Sequence, residues 1–189
     1  MSNLRLSISL LYVPAGVGIV FRMVSAGALP QQLLALALFL FCLELAHMAE
    51  VDLKNVLAVA AETGLNSWTE DSRLLSFRNL VCSTIVLELL GFYGVLLSLQ
   101  WGGIIIIFSQ LWFNLLVKIQ LWPQEIPAVT DFELSGRLPV LIANTTGLAL
   151  LVFWFVQGIQ LFLAIGLLVL VSLFLVIKYA VPAFYPEAE

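Results

Sequence analysis

Pro30 to Gly64 reads PQQLLALALFLFCLELAHMAEVDLKNVLAVAAETG. Leu33 to Cys42 is apolar throughout, and Glu44, His47, Glu50, Asp52 and Lys54 then follow at short intervals. A proline just inside a helix start and a glycine just past its end are the punctuation of one helix, here over 31–62. At about 1.5 Å per residue that helix would be roughly 48 Å long, against a hydrocarbon layer of about 30 Å. It is therefore expected to cross a membrane and continue into water, with Glu44 and His47 in the inner part of the bilayer. In the continuation, Ala46, Ala49, Leu53, Val56, Leu57 and Ala60 form one stripe, while Asp52, Lys54, Asn55 and Glu62 lie off it.

The rest of the chain agrees with a membrane setting. It has 189 residues, of which 62% are hydrophobic and 11% charged, with a mean hydropathy of +1.08. That is too apolar for a soluble domain of this size and predicts an all-α, polytopic integral membrane protein. The formal charge of -4 and the single scattering of eight Lys and Arg exclude a nucleic-acid surface, which needs a basic stripe. Cys42 and Cys82 are solitary within apolar segments and are expected to be buried thiols, with no zinc spacing around them.

Working outward, helix one is expected over 6–28, kinked at Pro14. Ala26-Gly27-Ala28 has the form of a signal cleavage site, but Arg22 interrupts the apolar run that such a signal requires. After helix two, Ser67-x-x-Glu70 has the form of a capping box and leads into helix three, 68–99. Gln100-Trp101-Gly102-Gly103 reads as a tight turn, followed by helix four, 103–121. Residues 122–137 form an interfacial loop with a capped turn at Thr130-x-x-Glu133, and helices five and six follow over 138–156 and 159–181. The expected architecture is one membrane domain of six transmembrane helices in three consecutive hairpins, with helices two and three extending beyond the bilayer. Both termini are then cytoplasmic, because this orientation puts Arg5, Lys54, Arg73, Arg78, Lys118, Arg137 and Lys178 inside and leaves only Arg22 outside.

Counting inward from the outer turns, Glu44, Glu88, Asn114 and Asn144 all fall at a depth of about 20 Å. His47 and Lys118 lie one turn nearer the cytoplasm. Glu88 and Asn114 are equidistant from the turn near Trp101 and could face each other, while Gln110, Asn114 and Lys118 share one face, as do Thr84 and Glu88. Unpaired polar groups are costly in hydrocarbon, so this layer either binds a proton, an ion or the polar part of a solute, or hydrogen-bonds the helices together. Glu44-x-x-His47 has the form of a helical metal-ligand pair, but di-metal bundles need it twice and His47 is the one histidine. A single imidazole could still serve as axial ligand to haem or chlorophyll.

No nucleophile motif, phosphate loop or dinucleotide fingerprint supports an enzyme. The six-helix topology resembles the membrane-embedded substrate-binding subunits of vitamin importers in architecture, a likeness that assigns no function. The first functional expectation is a non-enzymatic accessory or assembly subunit with membrane-protein partners, docked through the projecting leg and the 122–137 loop. The alternative is a small-solute, ion or proton transporter, or its binding subunit, that uses the inner polar layer.

Overall fold

A computed structural model describes residues 2–62, 72–123, 128–156 and 158–184. Six α-helices account for most of it: α1 Ser2–Ser25, α2 Leu29–Glu62, α3 Ser72–Val95, α4 Leu99–Leu116, α5 Leu138–Phe153 and α6 Gln160–Phe184. Two short strands, β1 Ile119–Leu121 and β2 Val129–Asp131, and a 3-10 turn, Leu134–Arg137, lie between α4 and α5. By length and composition five helices can cross a membrane: α2, α3, α4, α6 and the stretch Leu134–Phe153 that contains α5. In α1 the apolar stretch Leu10–Ser25 is shorter. Ser67-x-x-Glu70 falls outside the described residues.

The central element is α2, which packs against α1 and α6 and more lightly against α3 and α4. Its buried residues include Leu34, Ala35, Ala37, Leu38, Cys42 and Leu45, adjacent positions that cover more than one face, as a helix surrounded by neighbours requires. The closest partnership is α3 with α4, and α5 packs more on α4, and α6 more on α2, than they do on each other. Outward, Leu10, Val13, Val17, Phe21 and Val24 of α1 form an exposed apolar stripe, and Phe162, Ile165, Val169, Leu173 and Val176 do the same on α6. Apolar surface on this scale is stable in lipid and unfavourable in water.

The α3–α4 turn lies earlier than the glycine pair suggests. Ser98 adopts an extended conformation and its Oγ accepts the Trp101 N–H at 3.4 Å, an N-cap that starts α4 at once. Gly102 and Gly103 are consequently inside the helix. A Cβ on Gly102 would lie 2.3 Å from the Val95 nitrogen and 2.6 Å from the Gly91 carbonyl oxygen. Gly102 is there for backbone approach, as in small-residue membrane interfaces, whereas Gly103 faces the side chains of Leu151 and Leu38.

Three further expectations are corrected. Helix four does not reach Leu121: Val117 is extended (φ -65°, ψ 129°), and Ile119–Leu121 pairs antiparallel with Val129–Asp131. Thr130 caps no turn, since it sits in that strand and accepts the Trp122 indole N–H at 3.0 Å. Of the two thiols only Cys42 is buried, and Cys82 is exposed on α3.

The α2 extension has a core of its own. Val56, Val59 and Ala60 pack with Leu74, Phe77 and Val81 of α3 and with Val117, Ile119 and Leu121. Leu57, expected on the covered stripe, is instead 45% exposed, while Ala49, Val56, Val59 and Ala60 form the buried line. The strand pair thus covers this end of α2 and α3 and precedes α5.

Candidate functional site

Three polar clusters lie within the bundle. In the first, Glu88 on α3 is buried between two other helices: the Tyr12 hydroxyl of α1 donates to one carboxylate oxygen and the Gln110 amide of α4 donates to the other at 2.7 Å. Asn114 does not face Glu88, because its side-chain amide donates back to the Gln110 carbonyl at 2.8 Å. Asp52, expected off the covered stripe, lines a small cavity with Thr84, Glu88 and Gln110. At about 20 Å³ that space suits one water molecule.

The second cluster joins α2 to α6. Glu44 is buried, receives the Lys178 ammonium on one oxygen and the Tyr179 hydroxyl on the other at 2.7 Å. Glu50, meanwhile, accepts from Lys54. His47 lies one turn beyond Glu44 on the same helix. Its ring lies 6.4 Å from that of Tyr179, on an outward groove between α1 and α2 shared with Tyr12 and Glu50. Among the described residues no three His, Cys, Asp or Glu gather as a metal site.

The third cluster surrounds Arg137, which is only 3% exposed. One guanidinium nitrogen donates to the Asn114 carbonyl at 3.0 Å, another to the Phe132 carbonyl, and the cation stacks 4.2 Å from the centre of the Phe132 ring. Among the described residues its Nε has no hydrogen-bond partner, and neither does Nδ2 of Asn144. Both residues line the same cavity.

That cavity measures about 320 Å³. Its polar lining consists of Gln110, Asn114, Arg137, Asn144 and Lys178, and its walls are apolar side chains of α2, α4, α5 and α6 such as Leu45, Ile107, Leu170 and Phe174. Small residues on one face of α5 make the space: Ala143 and Gly147 are part of the lining, and a Cβ on Gly147 would come within 3.0 Å of Ile107.

The expected layer is thus divided. Asn114 and Asn144 meet at the cavity, Glu44 reaches it through its partner Lys178, and Glu88 reaches it through Gln110. His47 and Lys118 do not join them; Lys118 is exposed beyond the end of α4, beside Arg73 and Asp131. Arg137 and Lys178 had been read only as topology charges. For Lys178 a signal was present, since a lysine within an apolar helix is a functional candidate by default. Arg137 carried none, because a cation beside a loop is ordinary in sequence and the loop's return path buries it. Comparison with family models, with curated proteins and with solved structures finds no match for this chain.

Proposed function

We propose that this is a membrane-embedded binding protein or carrier for a small solute, held in the cavity between α2, α4, α5 and α6. The observation that carries the reading is the cavity itself. Its volume of about 320 Å³ falls within the usual range for ligand pockets, about 300–1,000 Å³, and it combines apolar walls with a few convergent polar groups. Two buried polar atoms on its lining, Arg137 Nε and Asn144 Nδ2, lack a partner among the described residues, whereas buried polar groups are ordinarily satisfied. With six spans in three hairpins and both termini in the cytoplasm, as the distribution of Lys and Arg supports, the site belongs to the inner leaflet. The test is purification in mild detergent followed by native mass spectrometry and solvent extraction. A retained small molecule that is absent from a folded Ala143→Phe variant is expected, because the added ring occupies the cavity. Equal retention by both proteins removes this reading.

A second reading, an accessory subunit of a larger membrane complex, is supported by Val51 and Leu57, apolar side chains exposed on the α2 extension. A membrane-protein partner that co-purifies with the native chain and is lost on Leu57→Glu would favour it.

A further inference from the structure

We propose that the solute is an anionic amphiphile with a single short chain, its head group held by Arg137 and Asn144 and its chain laid against the apolar wall. This rests on the reading of the cavity as a binding site and goes beyond it by naming the ligand's chemistry.

The first argument is charge. Arginine stays protonated in proteins, and a buried charge is destabilising unless it is paired. Arg137 is buried, yet its protein partners are two neutral backbone carbonyls and one aromatic face. Among the described residues, the lining of the cavity includes two cations, Arg137 and Lys178, and no carboxylate, in a chain whose overall charge is -4. Glu44 neutralises Lys178 from behind, which leaves the guanidinium as the cation of the lining that no described carboxylate neutralises. An anion supplies what the fold omits.

The second argument is hydrogen bonding. Among the described residues Arg137 Nε and Asn144 Nδ2 are donors without acceptors, and a carboxylate or phosphate offers several acceptor oxygens of matching geometry. The third is shape. Beyond these donors the walls are Leu45, Ile107, Leu170, Val171 and Phe174, which reward an apolar chain. At about 320 Å³ the space lies at the small end of ligand pockets, which favours one short chain over a diacyl lipid.

The experiment titrates the full-length protein in a maltoside detergent with laurate, dodecyl phosphate and dodecanol, reading apparent Kd by native mass spectrometry. At least one anion should bind about tenfold or more tightly than dodecanol, the scale of a charge-assisted hydrogen bond. The tighter anion tells a free fatty acid from a phosphorylated lipid. Arg137→Gln should weaken the anions about tenfold and leave dodecanol unchanged. Asn144→Leu, which removes only one donor and does not depend on Arg137→Gln folding, should weaken the anions about threefold. Dodecanol binding as tightly as the anions, or Arg137→Gln and Asn144→Leu weakening all three probes alike, overturns the anionic assignment; loss of binding in Ala143→Phe would then still support the cavity as a site. No binding of any probe also overturns the assignment, and the retained-solute experiment then decides the site separately. Binding unchanged in Ala143→Phe overturns both.

Discussion

At the scale of single residues, Glu88 and Arg137 show two ways of placing a charge-bearing group inside a bundle. Glu88 is satisfied on both oxygens by Tyr12 and Gln110 and so ties α1, α3 and α4 at one point. Glu88→Leu strands the Tyr12 hydroxyl and the Gln110 amide, and should lower stability by about 2–4 kcal/mol, read as a shift in the unfolding midpoint in detergent. Glu88→Gln keeps an acceptor and should stay within about 1 kcal/mol of the parent. Solute retention should survive the glutamine, since Glu88 is outside the lining of the Arg137 cavity; its loss in a folded variant would make Glu88 part of the binding site. Glu88 could be picked out in sequence because a glutamate within an apolar helix stands apart from its neighbours. Its partner could not, because Tyr12 is 76 residues away. Arg137 shows the reverse case, a buried cation whose hydrogen-bond partners among the described residues are neutral carbonyls.

At the scale of elements, the glycines of α3 and α4 decide how close two helices come. Gly102 opposes Gly91 and Val95 with no room for a Cβ, and overpacking of this kind destabilises by about 1–3 kcal/mol. Gly102→Leu should therefore lower the unfolding midpoint and shift the inter-helix distance reported by spin labels on α3 and α4. An unchanged distance and midpoint would show that the close approach is not needed. In sequence the same pair, following Trp101, reads as a turn, because glycine marks turns and helix contacts alike and only the facing helix tells them apart. The end of α4 was hidden for a related reason. Val117, Ile119 and Leu121 suit an apolar helix as well as a strand, and the partner Val129–Asp131 settles the matter. The α2 extension was easier to read, since its length follows from uninterrupted helix formers between Pro30 and Gly64, although which side of it is covered depended on α3 and the strand pair.

At the scale of the whole molecule, the proposed orientation puts the strand pair and the α2–α3 end in the cytoplasm. Cysteines introduced singly at Ser72 and Ser76, both exposed, into a cysteine-free background should react with a membrane-impermeant maleimide only in inside-out vesicles. Labelling of right-side-out vesicles would invert the orientation and place the cavity in the outer leaflet. What the sequence alone determined is the helical, membrane-compatible character of the chain and the number of its helices, because both depend on local composition and on the length of apolar runs. It also allowed the expectation that polar groups recur at one depth, since depth along a helix is a count of residues. Which of those groups meet was decided by the tertiary structure. Glu44 finds Lys178 across 134 residues, and the strand pair returns Arg137 to the end of α4. Pairing across such separations depends on how helices rotate and pack against one another. In Pro30 to Gly64, Glu44 and His47 stand one turn apart, and packing turns one toward α6 and the other outward.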